Sequence, residues 1–262
     1  MIDLATEARG KRLVSIENMA FQYGSGRRAK AVLNGIDLEL RENEFVCVLG
    51  ASGCGKTSLL RLIAGYERPT SGSVNVLGAA RSGPRPEVGV VFQHANLFPW
   101  LTIRRNVEFG LRMQGAGREE RRERAEDALR LVGLIDAADR LPYELSGGMK
   151  QRAAIARTIA ASPTIILMDE PFGALDAITR ESLQQQLREL WLSSRQSVLF
   201  ITHDVDEALL LATRIVVLGG SPGAVLFDRP NPLHSEEGTA DQLRRRYEYG
   251  KQREKLVETL KR

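Results

Sequence analysis

Cysteine is almost missing from this 262-residue chain: only Cys47 and Cys54 are present, one on a predicted strand and the other on the loop after it. A disulfide framework is thereby excluded, and a reduced compartment fits. Long hydrophobic runs are missing too. No stretch approaches the roughly 18–20 apolar residues that a membrane helix needs, so the polypeptide is not expected to cross a bilayer itself. The opening MIDLATEARGKRLVSIENM has no apolar segment of the kind that drives secretion. Neither an internal repeat nor a low-complexity tract is found. Charge of one sign is in small excess only, 37 Lys and Arg against 33 Asp and Glu, a net +4. The surplus sits in short arginine runs: Arg27 with Arg28, 121–124 and 244–246. These are interleaved with glutamate and lack aromatic stacking partners, so no nucleic-acid partner is expected. They read as solvated faces, or as company for an anionic membrane surface.

What is present is ordinary for an α/β protein: 43% hydrophobic and 27% charged residues, in a chain long enough for one large or two small cored domains. Alternating residues at 13–16 and 36–40, with Gly24, Ser25 and Gly26 between, predict antiparallel strands. The apolar run 45–49 ends at glycine, and helical spacing follows over 57–64, giving the order strand, glycine-rich loop, helix. Gly65, Pro69 and Gly72 close that helix, and 74–77 and 88–92 read as further strands. From about 96 to 145 the β-branched runs vanish and leucines at helical spacing among Arg and Glu predict a helical insertion. Strands then return in alternation with helices: helix 150–160, strand 164–168, helix 179–192, strand 198–202, helix 205–212, strand 214–218. That alternation predicts a mostly parallel sheet covered on both faces. From residue 241 the chain is polar and helix-prone.

Three segments carry chemistry. Gly50-Ala51-Ser52-Gly53-Cys54-Gly55-Lys56-Thr57, followed by Ser58, matches the phosphate-loop pattern. Glycines let successive backbone N–H groups turn toward an anion, and the positive end of the following helix adds to that field. Lys56 suits the β- and γ-phosphates, and the Thr57 hydroxyl suits Mg²⁺. The Cys54 side chain reads as incidental there. The apolar strand before Asp169 and Glu170 supplies the other half of a nucleotide site: one carboxylate for Mg²⁺, a second to polarise the attacking water. Leu145-Ser146-Gly147-Gly148-Met149 stands before a predicted helix and offers a hydroxyl and N–H groups, a second anion cradle.

In this last segment the chain resembles the ABC (ATP-binding cassette) ATPase family, whose signature is L-S-G-G-Q; Met149 stands where glutamine is usual. The resemblance implies an α/β fold, a P-loop NTPase core of ABC ATPase type with an antiparallel β subdomain and an α-helical subdomain insertion. It covers roughly residues 13–232, with the helical subdomain at about 96–148, an N-terminal tail at 1–12 and a polar tail at 233–262. By the same resemblance two copies face head to tail, and Ser146, Gly147 and Gly148 of one contact the γ-phosphate held by the other. Gln93 matches the glutamine that senses Mg²⁺ and water, Asp176 the loop that crosses to the partner, and His203 the switch histidine that orients Glu170. Taken alone, His203 is a strand-end histidine. Tyr23 matches the aromatic that stacks on adenine, with Phe21 two residues earlier as the competing candidate and a plain core aromatic also open.

A single phosphate loop and the absence of a long heptad region point to an importer motor and away from DNA-handling relatives. The alternative is a non-transport ATPase acting on DNA or protein partners. The Pro99-Trp100 segment and its neighbours resemble the nitrate/sulfonate/taurine importer class, with Trp100 either an internal anchor or part of a permease docking surface. The resemblance implies ATP and Mg²⁺ as cofactors, a second copy and membrane permeases as partners, an external solute-binding protein acting indirectly, and a peripheral place on the cytoplasmic face of the inner membrane.

Overall fold

A computed structural model describes residues 10–80, 83–234, 240–245 and 247–261. Most of the expected N-terminal tail, part of the 233–262 segment and Arg246 lie outside the described residues. In chain order the first elements are β1 (Arg12–Tyr23), β2 (Lys30–Arg41), β3 (Phe45–Gly50), α1 (Lys56–Ala64), β4 (Ser71–Val76), β5 (Ala79–Ala80) and β6 (Val88–Val91). Helices α2 (Ile103–Met113), α3 (Arg118–Leu131) and α4 (Gly147–Ala160) follow, then β7 (Ile165–Asp169) and α5 (Ala177–Ser194). The chain continues through β8 (Ser197–Thr202), α6 (Val205–Leu211), β9 (Arg214–Gly219), β10 (Ala224–Pro230), α7 (Ala240–Arg244) and α8 (Tyr247–Leu260). It divides into two compact units, Met1–Arg85 with Trp191–Arg262, and Pro86–Leu190.

The first unit contains the predicted antiparallel layer, in the order β2-β1-β4-β5. Its strands are longer than the alternation suggests: β1 runs to Tyr23 through irregular register near Asn18, whose φ of 42° lets the strand bend. A second layer has the order β10-β9-β3-β8. β3 lies parallel to both neighbours, with Val48 opposite Ile201 on β8 and Val216 on β9. A strand enclosed in this way has no solvent face, which is why Phe45–Gly50 is apolar throughout and wholly buried. Phe45, at the start of β3, packs edge-on against Trp191 at 5.9 Å and beside Phe200 at 5.8 Å.

β10 escapes the sequence reading because its apolar residues are followed by Asp228, Arg229 and Pro230. Among the described residues it pairs antiparallel on β9 alone, an edge where proline is tolerated. Of the segment expected as a polar tail, Ala240–Arg244 and Tyr247–Leu260 are helical, and α8 lies against α6 and β9 and buries Tyr249 and Leu256.

The second unit holds the parallel pair β6 and β7 together with α2, α3, α4 and most of α5. α4 packs against α2, α3 and β6, with Ala153, Ala154, Ile155 and Ala156 buried. The three alanines let neighbouring backbones approach closely. Arginines of the 121–124 run are engaged in ion pairs, Arg122 with Glu126 and Arg124 with Glu120, each one turn apart on α3.

Candidate nucleotide-binding site

The phosphate loop joins β3 to α1, and its shape is imposed from outside as well as by its own glycines. Gly55 precedes α1 with φ 99°, and a Cβ there would stand 2.5 Å from Leu33 Cδ2. A Cβ on Gly50 would meet Leu218 O at 2.6 Å and Cys54 Sγ at 2.7 Å. Cys54, expected to be incidental, is buried beneath the loop, so its side chain fills the space that a bare Gly50 leaves. Lys56 is buried and folds back to donate from Nζ to Gly50 O at 2.7 Å and Ala51 O at 3.0 Å. Ala51, Ser52, Gly53 and Thr57 are exposed at the mouth, while Ser58 is buried.

The two aromatic candidates separate by burial. Phe21 is in the core, whereas Tyr23 is 39% exposed, with its hydroxyl 3.4 Å from Ser58 Oγ. The rings meet edge-on at 4.8 Å, so Phe21 serves as the wall against which Tyr23 stands at the head of α1.

His203 is exposed, just beyond β8, on a turn tightly bonded to the start of α6. Thr202 Oγ1 accepts from Asp204 N at 2.9 Å and donates to Glu207 Oε2 at 2.6 Å. Asp204 caps α6 by accepting from Asp206 N at 2.8 Å.

In the second unit, Asp169 ends the buried strand β7 and is itself buried. Glu170, half-buried, has φ 44°, a left-handed conformation that costs a non-glycine residue energy and is typical of functional turns. The turn closes through Gly173 N to Glu170 O at 3.1 Å. Asp176 is exposed and caps α5: its Oδ1 accepts from Thr179 N at 3.0 Å, and this bond holds the carboxyl below the usual carboxylate range. The signature lies at the head of α4, whose first residues are Gly147 and Gly148 and not Lys150 as the periodicity predicts. Ser146 is the cap, its hydroxyl accepting from Met149 N at 3.3 Å. That interaction uses the Met149 backbone and leaves its side-chain identity free. A Cβ on Gly148 would meet Leu175 Cδ2 at 3.1 Å, so the signature turn is packed against the segment that leads to Asp176.

Helix α4 also supports the loop that carries Gln93. Gln93 is exposed after β6, and Gln151, buried on α4, donates to the carbonyl of Phe92 just before it at 2.9 Å. One and a half turns on, Arg157 donates to Asn96 O at 2.8 Å and Ala95 O at 3.2 Å. Burial pushes the Arg157 guanidinium down from its ordinary value. Neither Gln151 nor Arg157 stood out in the sequence, because a long polar side chain on a helix reads as a solvated face until its partner is known.

Beyond Gln93 the segment to Thr102 is clamped by Asn106, fully buried on α2. Asn106 accepts from Phe98 N at 2.7 Å and donates to the carbonyls of Phe98, Leu101 and Thr102 at 3.0–3.1 Å. Phe98 packs on Phe109 at 4.5 Å and on Trp100 at 5.7 Å. Trp100 itself is 72% exposed, which removes the internal-anchor reading. Next to it opens a groove of about 820 Å³ between α2 and α3, bordered by Arg104, Arg105 and Arg112 on one helix and Arg118, Arg121 and Arg122 on the other, with Glu108 and Asp139 as acids. Arg104 is engaged with Glu126 and, at 3.2 Å, with Asp139.

Among the described residues no helix is long and apolar enough to cross a membrane. The family profile described as ABC transporter matches residues 33–173. Over 215 residues, 82% of this chain and 81% of the relative, the sequence is 50% identical to the nitrate import ATP-binding protein NrtD of Synechocystis sp.. It is 52% identical over 213 residues to the taurine import ATP-binding protein TauB of Sinorhizobium fredii, covering 81% and 80% of the two chains. The structure superposes on a dimeric ATP-binding cassette solved in a post-hydrolysis state with ADP and Pi, at a TM-score of 0.75 and 34% identity, covering 83% of this chain and 98% of that one. It also superposes on cbiO1 of Clostridium perfringens, part of the ABC transporter complex cbiONQ, at a TM-score of 0.73 and 26% identity over 84% and 89% of the chains.

Proposed function

This chain belongs to the ABC transporter family, and from that premise we propose that it is the ATP-binding, ATP-hydrolysing subunit of an importer for a small anionic or zwitterionic solute of the nitrate, sulfonate or taurine class. The observation that carries the reading is the phosphate loop, closed by Lys56 bonding its own carbonyls at the head of α1. A lysine parked on Gly50 O and Ala51 O exchanges those two weak acceptors for phosphate oxygens when nucleotide enters. Backbone N–H groups of 51–57 and the start of α1 then face the β- and γ-phosphates. Tyr23, exposed beside Ser58, offers its ring to adenine.

Glu170 polarises the attacking water, and His203 orients it toward the γ-phosphate. Gln93 monitors that water, and Ser146, Gly147 and Gly148 of a second copy complete the phosphate's cradle, with Asp176 on the crossing loop. Thr57, exposed at the head of α1, and Asp169, at the end of β7, carry hard oxygen donors of the kind that Mg²⁺ takes. The hard oxygen donors for Mg²⁺ would be Thr57 and Asp169, with Gln93, and the ion would offset phosphate charge as the terminal bond breaks.

The protein is proposed to work beneath membrane permeases, on the cytoplasmic side, with an external solute-binding protein acting only through them. Trp100 and the arginine-bordered groove of α2 and α3 form the docking surface, and an acidic cytoplasmic segment of the permease suits its charge. The non-transport alternative gains no support, since the named relatives at 50–52% identity are import ATP-binding proteins.

Phosphate release by the purified chain, with and without Glu170→Gln, tests the assignment. The variant should lose at least about a hundredfold in turnover yet bind ATP and accumulate as a nucleotide-bound dimer. Undiminished hydrolysis would overturn it.

A further inference from the structure

The turn that carries His203 has a second attachment, from the far end of the chain. Asp206, in the first turn of α6, accepts the Tyr249 hydroxyl at 2.8 Å and Arg253 Nε at 3.0 Å, both on the same carboxylate oxygen. Tyr249 and Arg253 are four residues apart and therefore share one face of α8. Tyr249 is buried, and that burial together with the Asp206 carboxylate keeps its phenol protonated well above the ordinary range. α8 is further anchored by packing on β9 and by buried Leu256.

α6 has only seven residues, too few to hold its own direction in isolation. Its orientation is set by its attachments. Within the turn, Thr202 and Asp204 bond the backbone and Glu207. Outside it, α6 packs on β3 and β8, and Asn231 donates to the carbonyls of Leu209 and Ala212 at its far end. At its near end, three residues beyond His203, the attachment to α8 runs through Asp206, and this bond ties the turn itself to a separate helix.

We propose that Tyr249 and Arg253 are positioning residues for ATP hydrolysis: through Asp206, the C-terminal helix holds the turn that presents His203. The 247–260 segment is then part of the catalytic switch, and any partner that lifts α8 would slow turnover without touching the nucleotide. This rests on the reading of His203 as the switch histidine.

The test is a mutant cycle in the full chain. Tyr249→Phe with Arg253→Met removes both donors while keeping the apolar bulk that seats α8. Turnover should fall about tenfold, with ATP affinity unchanged and backbone amides of 202–207 exchanging faster. Combined with His203→Ala, the double change should cost nothing further. Asp206→Ala should reproduce the loss, and Tyr249→Phe alone, which leaves Arg253 in place, should recover most of the activity. Wild-type turnover in the double variant, or a loss that adds fully to that of His203→Ala, overturns the proposal. A loss confined to thermal stability, with kcat preserved below the melting point, overturns it as well. Failure of the underlying reading is distinct: His203→Ala would then hydrolyse ATP normally, whatever α8 does to amide exchange.

Discussion

Gln151 on the signature helix donates its side-chain N–H to the backbone carbonyl of Phe92, the residue before Gln93, at 2.9 Å. One helix thus begins at Ser146 and, a turn and a half later, holds the loop that carries the proposed water-sensing glutamine. Arg157 extends the same support to Ala95 and Asn96. The start of α4 and the loop that carries Gln93 are thus held by one rigid element.

Replacing Gln151 by Ala should therefore cost about 1–3 kcal/mol, from the lost bond and the space left in a buried position. For a chain of this size that is a fall of roughly 2–10 °C in thermal midpoint. Gln151→Glu should be no better, since a carboxylate cannot donate to Phe92 O. Thermal unfolding of the two variants checks both statements.

Gly223 lies far from the phosphate loop in sequence but against it in space. A Cβ there would stand 2.0 Å from Cys54 O, and its N–H is already bonded to Val32 O at 2.8 Å. Gly223→Ala must push the loop out of shape, a disturbance of about 1–3 kcal/mol. We expect ATP affinity to fall about tenfold or more, measured by nucleotide titration. Unaltered affinity would show that the loop can give way at no cost.

Trp100→Ala removes a side chain that is 72% exposed. Stability should change by no more than about 0.5 kcal/mol, and ATP binding not at all. Permease association should weaken by about 2 kcal/mol, near thirtyfold, because exposed tryptophans are disproportionately interface anchors. Co-purification of the complex in detergent, compared with the isolated chain, separates these effects.

Asp176 caps α5, and the Thr179 backbone N–H holds its carboxyl low. A group whose pKa is depressed by folding contributes stability above its unfolded value, near 3.9, and loses it as pH falls through the folded one. Asp176→Ala should therefore lower the thermal midpoint at pH 7, with the difference from the parent chain shrinking only at the acid end, below about pH 4. A gap that persists unchanged at pH 2 would assign the effect to something other than this carboxylate.

Several elements were legible without coordinates because their burial leaves a continuous mark. β3, β7 and β8 are buried from end to end and apolar but for Asp169, Ser197 and Thr202 at their ends, as strands without a solvent face must be. β10 and α8 carry no such mark. The apolar residues of β10 give way to Asp228, Arg229 and Pro230, and the two fully seated residues of α8, Tyr249 and Leu256, are seven positions apart in a polar stretch. Gln93, Asp169, Glu170 and His203 were placed by their order along the chain. Gln151, Arg157 and Gly223 were not, since each meets backbone groups far away in sequence.

The sequence by itself determined the chemistry: a strand, a glycine-rich turn and a helix with Lys56 at its head can be read from local pattern, because neighbouring residues dictate such a turn. The acid pair at 169–170 and the Ser-Gly-Gly helix start obey the same local rules. Only the tertiary structure decided which aromatic faces outward, Tyr23 and not Phe21, and what presses the phosphate loop into shape. It alone shows that Leu33, Leu218 and Gly223 converge on that loop and that the last helix reaches back to Asp206. These are contacts between distant residues, and no periodicity along the chain records where a fold will bring them together.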